Sequence, residues 1–90
     1  MTTFRIVVKG MVQGVGFRAF VYDLAKRMNI RGEVWNRKDG GVEILAQHES
    51  REELEEFIEN LYLGPGRVDD VRFEEEESKK TFENFRIVFR

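Results

Sequence analysis

Apolar and polar residues alternate at the start of the chain. Phe4, Ile6 and Val8 fall on one side, and Arg5, Val7 and Lys9 on the other. That period of two predicts a half-buried strand over residues 4–9. The next stretch, GMVQGVG at 10–16, places glycine at 10, 14 and 16 and cannot continue a regular element comfortably. From Phe17 the period becomes helical. Phe17, Phe20, Val21, Leu24, Ala25 and Met28 share one face of an amphipathic helix expected to end near Asn29. A second strand follows at roughly 31–38, and Asp39-Gly40-Gly41 turns it into a third at roughly 41–48, as a hairpin. Ser50 precedes Glu53 by three residues, the pattern of a capping box, and Leu54, Phe57, Ile58 and Leu61 continue at helical spacing. Gly64-Pro65-Gly66 ends that region. A fourth strand is expected at about 67–75, running through the acidic residues Glu74 to Glu77 into a solvated turn. Phe85, Ile87 and Phe89 alternate once more at the end.

The order is β-α-β-β-α-β with an extra terminal strand. One face of an antiparallel sheet can bury both helical stripes and leave its other face open. The expected fold is therefore α+β: a ferredoxin-like βαββαβ sandwich, an antiparallel sheet with two helices on one face and an extra C-terminal strand, forming a single domain over residues 1–90. That plan hosts enzymes, RNA binders and regulatory domains, so function has to be sought in particular residues.

Composition narrows the chemistry. The chain has no cysteine, which removes disulfides, thiolate metal sites and cysteine nucleophiles. A single histidine, His48, rules out a histidine-rich metal site and reads as a surface residue before the second helix. Lys and Arg total 15 against 17 Asp and Glu, so no global charge draws the chain to nucleic acid or to anionic membranes. Charged residues make up 36% of the chain, compared with about 25% on average. Ion-pair networks of a heat-adapted protein and plain solubility both fit that surplus. No apolar run of about 18 residues and no signal-peptide pattern occurs, and together these point to the cytoplasm. Arginine outnumbers lysine, and its planar fork suits oxyanions, so an anion site should be sought beside an arginine.

The first candidate is the glycine loop before the first helix. Gly14-Val15-Gly16 can aim successive N–H groups into one concavity, and a helix start adds free donors and a positive dipole end. Phosphate is the natural guest of such a cradle, with Arg18 in reach of the same anion. A tight turn with a surface arginine fits the loop composition equally well. The loop also satisfies G-x-G-x-x-A, with Glu33 near the position of a ribose-binding acid. A dinucleotide fold is excluded all the same, because the chain is too short and its second strand enters a hairpin. The second candidate is Asn36, on the same side of its strand as Val34. Asparagine is a poor strand former, and its amide can orient a water; it can also simply relax into the coming turn. Trp35, on the opposite side, reads as half-exposed packing. Glu52, Glu53, Glu55, Glu56 and Glu59 read as the solvated face of the second helix, and no acidic cluster has convincing metal spacing.

Gly10-Met11-Val12-Gln13-Gly14-Val15-Gly16-Phe17-Arg18 resembles the acylphosphatase signature G-x-V-Q-G-V-G-F-R. The stretch Gly32 to Glu43 resembles the family's second pattern, G-x-V-x-N-x-x-D-G-x-V-E, and the likeness covers essentially the whole chain. It implies hydrolysis of an acyl phosphate to a carboxylate and inorganic phosphate. By that resemblance Arg18 binds the phosphoryl group and Asn36 positions the attacking water. Backbone amides of Gln13, Gly14, Val15, Gly16 and Phe17 complete the cradle. The resemblance also implies no metal and no organic cofactor, and a small-molecule acyl phosphate as substrate; the near-even charge implies no nucleic-acid or membrane partner, and nothing in the sequence demands more than a monomer. Two positions depart from the pattern: Glu33 stands where an aromatic often follows the glycine, and Gly64-Pro65-Gly66 is tighter than the usual Gly-Pro-Pro.

Two alternatives remain at this level. A binding module of the same fold, such as a single-stranded RNA reader, would need stacking aromatics on its central strands, and Val42 to His48 contains none. An accessory domain handling carbamoyl phosphate for a larger enzyme is the other; a chain that stands alone favours a free enzyme.

Overall fold

The computed structural model describes residues 1–90. The strands are β1 (Thr2–Met11), β2 (Arg31–Asn36), β3 (Val42–His48), β4 (Arg67–Glu75) and β5 (Phe85–Ile87), and the helices are α1 (Phe17–Arg27) and α2 (Arg51–Asn60). They form one sheet in the order β4-β1-β3-β2-β5. The pairs β1·β3, β1·β4 and β2·β3 are antiparallel, as expected for the ferredoxin-like plan. β5 runs parallel to β2, with Val34 opposite Ile87, so the sheet is mixed at that edge. Alternation predicted the strand but carried no information on its neighbour or direction.

Both helices cover one face. Phe4, Ile6, Val8, Val34, Val42, Ile44 and Ala46 from the sheet join Phe17, Val21, Leu24, Leu54, Phe57 and Ile58 in a single buried core. Burying a large apolar side chain contributes about 1.5–3 kcal/mol, so these residues supply most of the driving force. No helix is long and apolar enough to cross a membrane.

α1 ends two residues earlier than its apolar period suggested. Asn29 adopts a left-handed φ of 57°, Ile30 N–H donates to Ala25 O at 2.8 Å, and Asn29 N–H donates to Lys26 O at 3.3 Å. This is a Schellman stop, with Ile30 buried just beyond it. At α2 only half of the expected capping box forms. Ser50 Oγ accepts from Glu53 N–H at 3.3 Å, but Ser50 N–H donates to Nδ1 of the half-buried His48 at 2.8 Å instead of to Glu53.

The open face of the sheet corrects one reading and organises the surplus charge. Trp35 is 6% exposed rather than half-exposed, because the Arg90 guanidinium lies 3.8 Å from its ring centroid. The surplus charge is organised there into pairs: Glu43 joins Arg5 and Arg37, and Arg5 also reaches Glu76. A face of paired charges of both signs is not the basic, aromatic surface that an RNA reader of this fold presents.

Candidate active site

The loop after β1 is built for close approach. Gly14 and Gly16 have φ values of 74° and 85°, a region that other residues enter at a cost. Gly16 forms the N-cap of α1 with no side-chain cap, and the first turn holds no acidic residue. The first helical hydrogen bond runs from Phe20 N–H to Gly16 O. None of the backbone amides from Gln13 to Ala19 therefore has an acceptor in the protein. A row of free N–H groups at a helix start is a candidate anion seat.

Arg18 stands at this seat as a cation without a counterion. Arg5, Arg31, Arg37, Arg51, Arg67, Arg72, Arg86 and Arg90 each reach a carboxylate. Arg18 reaches none and is half-buried, whereas Arg27, the other unpaired arginine, is exposed. The Arg18 guanidinium lies 5.4 Å from the centroid of the Phe89 ring. Gly14, Gly16 and Arg18 line a shallow pocket of 270 Å³ with Val12, Phe17 and Phe89.

Asn36 ends β2 on the helix-covered face, opposite Val42. Its Oδ1 is buried and has no hydrogen-bond partner. Leaving a buried acceptor unpaired costs about 1–3 kcal/mol, so this atom marks a place where an outside donor belongs. The loop and the strand end are fastened together by Gln13, whose Nε2 donates to Arg37 O at 2.7 Å and to Gly41 O at 2.8 Å. The sequence placed Gln13 in the cradle through its backbone. Its side chain proves to be the strut between cradle and hairpin, a role that only a lone polar side chain among glycines and apolar residues hinted at.

The hairpin is itself stiffened. Asp39 Oδ1 accepts from Gly41 N–H at 3.0 Å, and Arg37 pairs with Asp39 at 3.0 Å and with Glu43 at 2.6 Å. The Arg37 hydrogen bond, aided by the Gly41 amide, lowers the Asp39 carboxyl to about 2. The sequence reading missed Arg37 and Glu43 in this role, because a charged residue on a strand gives no sign of its cross-strand partner.

The fold is a ferredoxin-like sandwich that carries free backbone donors and an unpaired arginine at the start of α1. Residues 4–87 match the family model for acylphosphatase. The chain is 41% identical to the acylphosphatase of Bacillus licheniformis, over 99% of this chain and 100% of that protein. The crystal structure of acylphosphatase from Bacillus subtilis superposes with a TM-score of 0.92 at 41% identity, covering 98% of this chain and 99% of that one. The structure of HypF from T. kodakarensis matches with a TM-score of 0.87 at 36% identity, over 100% of this chain but only 12% of that protein. The chain belongs to the acylphosphatase family, and its reaction is hydrolysis of the carboxyl–phosphate bond of an acyl phosphate.

Proposed function

We propose that the phosphoryl group of the substrate seats on the amides of Gln13, Gly14, Val15, Gly16 and Phe17 with the Arg18 guanidinium across it, and that Asn36 Oδ1 orients the attacking water. The observation that carries this reading is the buried, unpartnered Oδ1 of Asn36, tied by Gln13 to a loop of unpartnered amides.

The chemistry follows from the groups available. The water donates one hydrogen bond to Asn36 Oδ1, which directs an oxygen lone pair at phosphorus. The new P–O bond forms as the bond to the acyl oxygen breaks, and the carboxylate leaves with that electron pair. A carboxylate is a weak base, so no protein acid is needed to protonate it. The water proton passes to a phosphoryl oxygen, and the products are a carboxylate and dihydrogen phosphate. Fixed donors facing the equatorial oxygens supply about 3–4 kcal/mol for each well-placed one, and orientation supplies about 7–11 kcal/mol in favourable cases. Neither needs a titrating side chain, which suits a chain whose one histidine is occupied at the α2 cap.

The same reading has the enzyme act as a monomer in the cytoplasm. All of the proposed site groups come from one chain, and acyl phosphates are dianions that do not cross a bilayer unaided.

The test is benzoyl phosphate hydrolysis by the purified protein with a chelator present, in wild type and two variants. Arg18→Gln should abolish turnover and weaken competitive inhibition by phosphate. Asn36→Ala should lose turnover and keep phosphate affinity. Normal turnover in the first variant, or lost phosphate binding in a folded second variant, contradicts the assigned roles.

A further inference from the structure

We infer that Glu43 is a positioning residue for the hydrolysis. From the open face of the sheet it fixes Arg37, and through the Arg37 carbonyl it fixes the Gln13 strut between the glycine loop and the strand end that carries Asn36. This rests on the roles proposed above for the loop and for Asn36.

A strut needs a fixed acceptor. Asn36 makes the last pair of β2 with β3, opposite Val42, so Arg37 is the first residue beyond the ladder. Its N–H donates to Gly41 O at 2.9 Å, and its carbonyl accepts from Gly40 N–H at 3.3 Å and from Gln13 Nε2 at 2.7 Å. Gly40 and Gly41 belong to the same turn and move with it. The Arg37 side chain supplies the anchor outside the turn.

Two carboxylates hold that side chain, and they do different things. Asp39 lies in the turn itself and pairs with Arg37 at 3.0 Å. That pair stiffens the turn without tying it to the sheet. Asp39 reaches Lys9 of β1 only at 4.0 Å, between two exposed side chains, and such a pair is worth little. Glu43 lies on β3, opposite Val7 of β1 and Trp35 of β2, and is 9% exposed. Its Oε1 accepts from Arg37 Nη1 at 2.6 Å, and its Oε2 accepts from Arg5 Nη1. Arg5 also donates to Glu76 at 3.0 and 3.2 Å. With both oxygens taken by arginines from different segments, this carboxylate cannot swing to follow the turn. The run Arg5–Glu43–Arg37 therefore refers the acceptor of Gln13 to β1 and β3 in the middle of the sheet. The side-chain bonds of Glu43 go to Arg5 and Arg37 alone, so its effect reaches the site through Arg37. Its removal strands no buried cation, because Arg5 keeps Glu76 and Arg37 keeps Asp39.

The test measures kcat for benzoyl phosphate and the inhibition constant of inorganic phosphate, with urea midpoints to confirm folding. Glu43→Ala should lower kcat about tenfold and leave the phosphate constant within about twofold, since spacing is lost and the seat is not. Glu43→Gln keeps an acceptor for Arg37 and should lose only about threefold. Arg37→Ala removes the same tie from its more exposed end and should match Glu43→Ala, so it carries the test if that variant fails to fold. Asp39→Asn keeps the tie to the sheet and should change kcat by no more than about twofold. In a Gln13→Ala background, Glu43→Ala should cost less than about twofold further, because nothing then uses the fixed carbonyl. Multiplying losses in that double variant would overturn the inference. So would an unchanged kcat in folded Glu43→Ala, a phosphate constant that rises as kcat falls, or an equal loss in Asp39→Asn. Failure of the underlying water role shows separately, as an Asn36→Ala variant with normal turnover.

Discussion

The Gln13 side-chain amide donates to the carbonyl of Arg37 at 2.7 Å and thereby fixes the glycine loop to the end of the strand that carries Asn36. A second bond, to Gly41 O, spans the base of the hairpin. One side chain thus sets the spacing between the glycine loop and the strand end that carries Asn36.

Gln13→Ala removes both bonds. Each is worth about 1 kcal/mol, so stability should fall by about 1–2 kcal/mol. Catalysis should suffer more, by about 100-fold in kcat/KM, because a displacement on the order of 1 Å between seat and water is costly. Gln13→Glu should be worse at neutral pH, since it aims a carboxylate at two carbonyl oxygens. Urea unfolding and steady-state kinetics on the two variants check the order.

Asn36→Asp keeps the shape and the accepting oxygen but adds a charge when ionised. A carboxylate beside a phosphoryl dianion repels it, and protonation removes the repulsion. The activity of this variant relative to wild type should therefore rise as pH falls below about 5. A ratio that is constant across a pH–rate profile would show that charge at this position does not matter.

Asp39 gives a stability prediction. Its folded pKa, about 2, lies below the ordinary value of 3.8 because Arg37 and the Gly41 amide hold the charged form. The stabilisation is complete above the unfolded value and is lost as pH falls from about 4 towards 2. Asp39→Asn should destabilise the protein at pH 7 and shrink the difference in urea midpoint between pH 7 and pH 2.5. An unchanged difference would place the acid sensitivity elsewhere.

Gly32 and Gly16 both have positive φ, yet they should respond differently to alanine. A Cβ at Gly32 would lie 1.7 Å from Leu45 O, inside the β2–β3 ladder, whereas one at Gly16 meets nothing within 4 Å. Gly32→Ala should abolish folding or cost more than about 4 kcal/mol, the range of severe packing defects. Gly16→Ala should cost about 1–2 kcal/mol, the penalty of a left-handed residue with a Cβ. Thermal melts of the two variants decide.

Much of this protein was legible in its sequence because the features concerned are local. Alternation over Phe4 to Lys9 and the helical stripe from Phe17 to Met28 reflect which face of one element is buried, and each can be read within a few residues. The glycine loop, Arg18 and Asn36 are likewise contiguous patterns, with glycines where the backbone turns left-handed and an asparagine out of place at a strand end. The sequence by itself therefore determined the order of elements and singled out the glycine loop, Arg18 and Asn36 as the residues to examine.

Tertiary structure alone decided how those pieces meet. The contacts of Gln13 with Arg37 and Gly41, of Arg90 with Trp35 and Glu33, and of Phe89 with Arg18 join residues far apart in the chain. The Gln13 contacts exist because β1 and β2 both flank β3, and those of Phe89 and Arg90 because β5 lies parallel to β2 in one register, which a three-residue alternating strand does not encode. For the same reason Trp35 looked half-exposed in the sequence and is buried in the fold: the cation that covers it comes from the far end of the chain. Local pattern specifies the surfaces each segment must bury, and only the closing of the sheet specifies which side chains are brought within bonding distance.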